Sequence, residues 1–351
     1  IMGIRCVPSI SAIDDHVDLA VLIIPAPAVE KVVQEAADKG TKHFVVISAG
    51  FKEIGGDGVE RENRLKAIAR ERGLSILGPN CLGLINTAPD VLMNAAFGGR
   101  MPVAGCMGLI SQSGALAAAL LDYANGRGIG FSRFVSFGNK ADINEVDLLR
   151  SLAADPATKV ILMYVEDLSS GQTFVETAHA ITHGRNPKPI LAIKTGRTQE
   201  GAAAAASHTG SLAGSDEVYD AIFSQAGVIR VESVEELFDY AEVFAEPTLP
   251  AGRRTAIVTN AGGPGIMATD ACIRYGLKLA RFHDYTIKSL KFQMPPTGSL
   301  KNPVDVIGDA RHDRYRSALD AVSSDEDVDQ ILVLVTPQAM TNSKEIGEVV
   351  S

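Results

Sequence analysis

The chain has 351 residues, of which 46% are hydrophobic and 21% charged, enough for two to three domains with cores of their own. Its 33 Lys and Arg are outnumbered by 42 Asp and Glu, which gives a net charge of −9. This balance argues against nucleic acid or an acidic membrane as the main partner, because phosphate groups are bound by basic surfaces. No apolar stretch approaches the roughly 18 residues of a membrane span, and the N-terminus lacks the features of a signal peptide. The four cysteines show no CxxC spacing, so we expect neither a metal site nor a disulfide framework, and we expect a cytoplasmic protein.

Short β-branched runs alternate with amphipathic stretches along most of the chain. The first run, residues 18–24, is continuously apolar, which is typical of a buried parallel strand. The alternation predicts an α/β protein with doubly wound parallel sheets. The predicted strands are residues 18–24, 44–47, 75–77, 106–110, 133–136, 159–165, 189–194, 254–259 and 329–335. The predicted helices are residues 28–39, 59–72, 115–125, 145–154, 174–182, 216–225, 234–244 and 266–275.

Two segments interrupt this alternation. Residues 87–102 are rich in Pro, Gly and Asn, and residues 247–252 (PTLPAG) have the composition of a linker. A nucleotide-binding sheet normally opens with a strand, a glycine-rich turn and a helix, and none of these precedes residue 18. We therefore expect the opening βα unit to be missing from this chain.

Three loops follow the first three predicted strands. They contain Pro25, then Ser48, Ala49 and Gly50, and then the segment GPNCLG at 78–83. Each could be an ordinary turn. The carboxyl edge of an open α/β sheet binds ligands, however, so three small-residue loops on this edge favour a binding crevice.

Two further turns connect a strand to a helix. Residues 111–115 (SQSGA) and 259–265 (TNAGGPG) combine glycine with hydroxyl and amide side chains. Free backbone N–H groups at a helix N-terminus bind anions, so each turn is a candidate phosphate site. Simple N-capping remains an alternative for the first turn.

The segment SHTGSLAG at 207–214 places His208 among glycine and hydroxyl residues. Few apolar neighbours could cover this ring, and no second His or Cys lies at metal-ligand spacing from it. A nucleophilic histidine that carries a phosphoryl group is one interpretation, because imidazole is nucleophilic at neutral pH. His179 and His183 lie four residues apart on a predicted helix but lack a third ligand, which favours an exposed helix face.

Ten segments, taken together and in order, resemble the ADP-forming acetyl-CoA synthetases of the succinyl-CoA synthetase superfamily. They are VDLAVLIIPAPAV, VVISAGFKE, GPNCLGLIN, GLISQSGALA, SFGNKADINEVDLL, ILMYVEDL, KPILAIKTGRT, SHTGSLAG, TNAGGPGI and NPVDVIGDA. The resemblance covers essentially the whole chain. It implies a CoA-binding Rossmann-like domain followed by two flavodoxin-like succinyl-CoA-ligase-type domains, at about 1–95, 96–247 and 248–351.

The resemblance also implies roles for single residues. His208 corresponds to the histidine that is transiently phosphorylated, and Glu166 to the glutamate that orients it. CoA is expected along the carboxyl edge formed by Pro25, Ser48, Ala49, Gly50 and Asn80. The two turns correspond to the helix N-termini that receive phosphate, with Ser111, Ser113, Gly114, Ala115, Gly262 and Gly263 as its ligands.

The implied reaction has three reversible steps. Phosphate attacks an acyl-CoA to give an acyl phosphate, His208 takes the phosphoryl group, and the group then passes to ADP. The resemblance places ADP or ATP with Mg²⁺ on a partner ATP-grasp domain or beta subunit, since no such domain follows NPVDVIGDA, and it implies an oligomer that acts on a small carboxylic acid.

Two alternatives remain: the regulatory region of an acyl-CoA-dependent protein lysine acetyltransferase, and a non-catalytic acyl-CoA sensor.

Overall fold

The computed structural model describes residues 3, 6–198, 200–201, 215–246 and 248–351. The chain divides into two compact units, Ile1–Pro247 and Thr248–Ser351.

The first unit begins with a small, fully parallel sheet. Its strands β1 (Leu19–Leu22), β2 (His43–Val46) and β3 (Ser75–Leu77) lie in the order β1-β2-β3. The connecting helices are α1 (Ala26–Asp38) and α2 (Asp57–Arg72). These helices bury apolar residues against the sheet, so that its core is continuous. The core residues include Leu22, Val29, Val33, Phe44, Val46, Leu65 and Ile76.

A seven-stranded sheet forms the rest of the first unit. Its order is β10-β9-β8-β6-β7-β4-β5; β4 is antiparallel to both of its neighbours, β5 and β7, and the other neighbouring pairs are parallel. The strands are β4 (Gly83–Asn86), β5 (Met93–Ala96), β6 (Ala104–Ser111), β7 (Phe131–Ser136), β8 (Val160–Val165), β9 (Ile190–Lys194) and β10 (Ile229–Arg230). The helices described with it are α3 (Gly114–Arg127), α4 (Glu145–Ala154), α5 (Gly171–Thr182), α6 (Asp216–Ala226) and α7 (Val234–Ala245).

Apolar side chains cover the seven-stranded sheet on both faces. All six residues of β8 are buried, as expected for a central parallel strand. Phe131, Phe134 and Phe238 form edge-on ring contacts at centroid distances of 5.4 and 6.4 Å. Each fully buried phenylalanine stabilises the fold by about 1.5–3 kcal/mol relative to an exposed one. The sheet is therefore a rigid platform for the loops at its carboxyl edge.

The second unit has a four-stranded parallel sheet around β11 (Arg254–Thr259). β11 pairs with β14 (Gln330–Leu334) along five residues, and with the two-residue strands β12 (Lys278–Leu279) and β13 (Val304–Asp305). The helices are α8 (Gly262–Arg274), α9 (Asp284–Gln293), α10 (His312–Ser323) and α11 (Ser343–Val350).

The α/β fold class is confirmed, and every predicted strand and helix named above has a counterpart. Two strands, β4 and β5, lie in or beside the segment that the sequence indicates as a break. Because β4 pairs with β7, the second sheet includes residues before the predicted boundary at 95. The antiparallel pairing also corrects the expectation of purely parallel sheets. β10, β12, β13 and the helices α9 to α11 are further elements that the sequence patterns did not indicate.

Within the residues described, none of the helices is both long and apolar enough to cross a membrane.

Candidate active site

The carboxyl edge of the first sheet is held together by Ser48. The backbone N–H of Ile24, after β1, donates to Ser48 Oγ at 3.1 Å. The backbone N–H of Asn80, after β3, donates to the Ser48 carbonyl at 3.0 Å. Ser48 therefore joins all three strand ends, and its side chain is buried.

Asn80 lies where this edge meets the second sheet. Its φ of 56° is in the left-handed region, which Asn tolerates better than most residues. Its side-chain Nδ2 donates to Asn139 Oδ1 at 3.3 Å. Asn139 Nδ2 in turn donates to Glu53 at 2.6 Å and to Glu62 at 2.9 Å. This amide pair fixes the loop after β3 against the loop after β7.

The turn between β6 and α3 begins the helix with a serine cap. Ser113 Oγ accepts a hydrogen bond from the backbone N–H of Leu116 at 3.2 Å. Gly114 and Ala115 follow it as the first two helical residues, so their N–H groups have no acceptor inside the helix. Ser111 Oγ donates to the Ser113 carbonyl at 2.7 Å. The Ser111 hydroxyl therefore stabilises the turn from the end of β6.

Gln112 connects this turn to the end of β8. Its Oε1 accepts from the backbone N–H groups of Glu166, at 2.9 Å, and Asp167, at 3.2 Å. Its Nε2 donates to Asp167 Oδ1 at 2.6 Å. The half-buried Glu166 side chain also accepts from Tyr164 Oη at 3.5 Å. The buried amide of Gln112 thus fixes the backbone that carries Glu166.

Lys140 holds Asp167 from the other side. Its Nζ lies 2.6 Å from Asp167 Oδ1 and 3.4 Å from Glu145 Oε2, and its side chain is 4% exposed. Burial alone raises the pKa of Asp167, but the charge and hydrogen bond of Lys140 outweigh burial and hold that pKa below its ordinary value. The Asp167 carboxylate is therefore ionised near neutral pH.

Lys52 and Glu53 bring charge to the same region from the first sheet. Lys52 Nζ donates to the Asn139 carbonyl at 2.7 Å. Glu53 accepts from the backbone N–H groups of Gly50 at 2.5 Å and Phe51 at 3.1 Å. Burial raises the pKa of Glu53, but the hydrogen bond from Asn139 and those from the backbone hold it below the ordinary value. Burial lowers the pKa of Lys52, in spite of the carboxylates nearby.

These groups surround one cavity of about 550 Å³ in the first unit. This volume lies within the range of small-molecule sites. The cavity has both polar and apolar walls. Its lining residues are Ile47, Lys52, Glu53, Asn80, Cys81, Leu82, Phe97, Gln112, Ser113, Gly114, Ala115, Ala118, Gly138, Asn139 and Glu166.

The cavity brings together five of the residues that the sequence singled out. They come from three separate loops: Asn80, Ser113, Gly114, Ala115 and Glu166.

Five other predicted residues of the first unit do not line this cavity. Pro25 and Ala49 are exposed at the neighbouring strand ends, and Gly50 is half-buried there. Ser48 and Ser111 are buried and use their hydroxyl groups within the protein. The ligand roles assigned to these five remain predictions.

The turn after β11, in the second unit, has a related construction. Thr259 Oγ1 accepts from the N–H of Ala261 at 3.1 Å and donates to its carbonyl at 3.0 Å. Asn260 Nδ2 donates to the Thr336 carbonyl at 3.0 Å, and Asn260 Oδ1 accepts from the Thr336 N–H at 2.8 Å. Gly262 and Gly263 are exposed at the start of α8.

His208 lies outside the described residues, within 202–214. Its role as the phosphoryl carrier therefore remains a prediction.

Sequence reasoning missed three residues that shape the cavity: Lys52, Gln112 and Asn139. Each lay inside or next to a quoted segment but was not assigned a role. The signal available was weak, because their importance depends on partners 54 to 87 positions away in the sequence.

Comparison with known proteins divides the chain into three matched regions. Residues 1–87 match the family model of a CoA binding domain, residues 104–244 that of a succinyl-CoA ligase like flavodoxin domain, and residues 255–343 that of a Ligase-CoA domain. The expected fold class, one Rossmann-like CoA-binding domain and two ligase-type domains, is confirmed.

Relatives align along nearly the whole chain. Acetate–CoA ligase [ADP-forming] I of Archaeoglobus fulgidus is 45% identical over 348 residues, which cover 99% of this chain and 50% of that protein. The alpha subunit of acetate–CoA ligase [ADP-forming] I of Pyrococcus furiosus is 43% identical over 97% of this chain and 73% of its own length. The chain thus spans about half the length of the Archaeoglobus relative and most of the Pyrococcus subunit.

A solved structure gives the same result. The dinucleotide-forming acetyl-coenzyme A synthetase 1 of Ca. Korarchaeum cryptofilum, in complex with phosphate and ADP, superimposes with a TM-score of 0.92 at 38% identity. The match covers 100% of this chain and 75% of that one. The chain therefore belongs to the ADP-forming acetyl-CoA synthetase family and corresponds to the alpha-type part of these enzymes.

Proposed function

We propose that this chain is the CoA-binding and phosphohistidine-bearing part of an ADP-forming acid–CoA ligase. The ligase interconverts acyl-CoA, ADP and phosphate with a carboxylic acid, CoA and ATP. The observation that carries the proposal is the cavity that joins Asn80, the turn of Ser113 to Ala115, and Glu166. A carboxylate, a helix N-terminus and the edge of a CoA-binding sheet then lie around one space.

The cavity and the strand ends beside it each have a role in this reaction. CoA enters along the edge of the first sheet, where Pro25, Ser48, Ala49, Gly50 and Asn80 form its path. Phosphate binds at the start of α3, because the N–H groups and the helix dipole favour an anion there. Its ligands are Ser113, Gly114 and Ala115, with Ser111 beneath them.

The first chemical step joins these two ligands. Phosphate attacks the thioester carbonyl, and an acyl phosphate and CoA are formed. Phosphoryl transfer then depends on positioning and charge stabilisation more than on covalent chemistry by the protein.

His208 accepts the phosphoryl group from the acyl phosphate. Glu166 accepts a hydrogen bond from one ring N–H, so that the other nitrogen is the nucleophile. Gly262 and Gly263 form the second phosphate turn. ADP, with Mg²⁺, receives the group on a partner ATP-grasp domain or beta subunit. The holoenzyme is an oligomer in the cytoplasm.

Phosphoryl labelling is the best test of this proposal. The complete protein is incubated with acetyl-CoA and labelled phosphate, and we expect an acid-labile, alkali-stable label on His208. His208→Asn removes the nucleophilic nitrogen, so the label should vanish while CoA binding persists. Glu166→Gln should lower the labelled fraction less, because Glu166 orients the ring and does not attack.

His179→Asn is the matched control, since His179 lies at the end of helix α5 away from the cavity. It should be labelled like the wild type. Undiminished labelling of the His208→Asn variant would contradict the proposal. The acetyltransferase regulatory region and the acyl-CoA sensor, the two alternatives, predict no label, and the comparisons lend neither any support.

CoA binding is tested separately by calorimetry. Asn80→Gly removes the side-chain amide while keeping a residue that adopts the positive φ of this position. We expect the affinity for CoA to fall about tenfold, which corresponds to the loss of a hydrogen bond of about 1.4 kcal/mol. Unchanged affinity would show that CoA does not follow this edge.

A further inference from the structure

The cavity contains one cation among its described lining residues, Lys52. Lys52 begins a short 3₁₀ turn, Lys52–Ile54, directly after the strand-edge loop that the proposed function assigns to CoA. Its ammonium donates to the Asn139 carbonyl at 2.7 Å. A cationic side chain is therefore anchored to the loop after β7, at the cavity that the proposed phosphate turn also lines.

The carboxylates around Lys52 are already occupied by other donors. Glu53 accepts from two backbone N–H groups and from Asn139. Glu62 accepts from Asn139 and from the Lys52 backbone N–H, and its other oxygen lies 3.1 Å from Lys66 Nζ. None of the bonds described joins Lys52 Nζ directly to a carboxylate.

Lys140 provides the contrast. Its ammonium contacts two carboxylates, those of Asp167 and Glu145, and its side chain is 4% exposed. Lys140 is not among the residues that line the cavity. Lys140 is a structural ion-pair partner. Lys52 lines the cavity, and the hydrogen bond described for its ammonium uses one of three donors.

We propose that Lys52 binds the sulfur of CoA and gives it a proton when the thioester is cleaved. This inference rests on the proposed function, and it adds a catalytic residue to the first step. A thiolate is a poor leaving group next to the carboxylates of this cavity. A cation beside the sulfur offsets that charge, as Lys and Arg do for protein thiolates.

An oxygen of hydrogen phosphate forms a bond to the thioester carbonyl carbon, the C–S bond breaks, and its electron pair goes to sulfur. Lys52 gives one proton to the sulfur, and the neutral amine takes up the proton that hydrogen phosphate loses. In the reverse direction the neutral amine removes the proton of the CoA thiol, and the thiolate attacks the acyl phosphate.

Several charged groups set the protonation of Lys52. Burial has the largest effect and lowers its pKa; Glu62 and Asp167 raise the pKa, and Lys140 and Lys66 lower it further. A lysine pKa below its ordinary value of about 10.4 lies closer to the thiol value of about 8.5. Proton transfer between the two groups is easiest when their pKa values are matched.

The first test measures the thiol of bound CoA and needs no turnover. The thiolate absorbance of CoA is followed against pH on the complete protein. With the wild type, we expect the midpoint of thiolate formation to move down by about one pH unit relative to free CoA. With Lys52→Gln the midpoint should return to the free value.

Lys66→Gln is the matched control, because Lys66 pairs with the same Glu62 but does not line the cavity. It should keep the wild-type midpoint. Lys52→Arg should also keep the midpoint, since the charge remains, and it serves as the charged variant if Lys52→Gln does not fold. A wild-type midpoint equal to that of free CoA, or one unchanged in Lys52→Gln, would overturn the proposal.

The second test separates this inference from the proposed function. Release of CoA from acetyl-CoA by phosphate is measured, and Lys52→Gln should lower kcat about 100-fold, a typical effect of a general acid. Lys52→Arg should also be slow, because arginine does not release its proton. Full activity of Lys52→Arg would overturn the proton transfer. A wild-type protein that shifts the thiol midpoint but releases no CoA would contradict the proposed function and leave Lys52 as a thiol-binding residue.

Discussion

The turn after β6, in the first unit, and the turn after β11, in the second, share one frame but differ in their surroundings. In both, a hydroxyl group at the strand end donates to the carbonyl two residues later: Ser111 to Ser113 at 2.7 Å, and Thr259 to Ala261 at 3.0 Å. An amide side chain then bridges to the end of the neighbouring strand. The sequences SQSGA and TNAGGPG alone give little sign of this shared hydrogen-bond arrangement, because the partners of the two amides are far away in the chain.

The surroundings decide what each turn can do. The amide Gln112 meets Glu166 and Asp167, and the first turn borders a cavity of about 550 Å³. The amide Asn260 meets the backbone and hydroxyl of Thr336 and the hydroxyl of Thr341. Gly263 has no atom within 4 Å of where a Cβ would lie. A common frame thus borders a cavity in one unit and forms an exposed turn in the other.

The largest expected effect tests whether the open turn binds phosphate at all. Gly263→Asp places a carboxylate where the proposal places an anion. Two like charges about 4 Å apart near a protein surface repel by about 4 kcal/mol. We therefore expect labelling of His208, measured with labelled phosphate and acetyl-CoA, to fall about 1,000-fold, which is the factor that corresponds to this energy.

Gly263→Ala is the control, because its Cβ would meet no other atom within 4 Å. It should keep labelling within about twofold, since that corresponds to less than 0.5 kcal/mol. Equal labelling of the aspartate variant and the wild type would restrict phosphate binding to the first turn.

The second prediction tests whether the two amides are equivalent in the fold. Gln112→Met and Asn260→Leu keep the shape of each side chain but leave buried N–H and C=O groups unpaired. Each should lower the free energy of unfolding by about 1–3 kcal/mol. Gln172→Met, at an exposed helical position, should change it by less than about 0.5 kcal/mol.

Denaturant unfolding of the three variants measures these changes in the free energy of unfolding. A neutral Asn260→Leu beside a destabilised Gln112→Met would mean that only the first frame depends on its amide.

The sequence predicted the parts of this comparison that are local. Strands and helices were found because their signals lie in adjacent residues. Examples are the continuous apolar run at residues 160–165 and the glycines that follow helices. β4 and β5 were missed because each is four residues long, and because β7, which pairs with β4, follows about fifty residues later. The short strands β12 and β13 have only two residues each, too few to form a pattern.

The site divides in the same way. The helix start at Ser113, Gly114 and Ala115 could be predicted, since helix capping depends on adjacent residues. Glu166 came from the resemblance alone. The cation Lys52 and the bridging amides Gln112 and Asn139 could not be found, because their roles arise only when loops of different strands meet.

The third prediction uses pH to separate the two turns. Asp167, beside the first turn, has a pKa held below its ordinary value by Lys140, against the effect of burial. A carboxyl group with a lowered folded pKa stabilises the protein above its unfolded pKa of about 3.9, and this contribution is lost as the pH falls through the folded value. Asp167→Asn should therefore be less stable than the wild type at pH 7, and the difference should shrink in acid.

Thr336→Val is the counterpart at the second turn. It removes the hydroxyl that donates to Asn260 Oδ1 at 2.9 Å, a group that does not titrate. Its loss of stability should be the same at every pH. Unfolding curves between pH 7 and pH 3 distinguish the two, and a constant difference for Asp167→Asn would show that the ion pair adds nothing to stability.

The smallest effects concern the helix caps, where the two turns differ in one atom. Ser113 caps α3 through the N–H of Leu116, three residues on, so Ser113→Ala should cost about 1 kcal/mol. Ala261 has the extended backbone of a capping residue, but Pro264 occupies the matching position of α8 and has no N–H. A serine at 261 could then take only the N–H of Gly263, which the proposal reserves for phosphate. Ala261→Ser should therefore stabilise the second unit by no more than a few tenths of a kcal/mol and weaken labelling of His208 slightly. A gain of a full kcal/mol with unchanged labelling would show that the Gly263 N–H is free for a cap and not used by the anion.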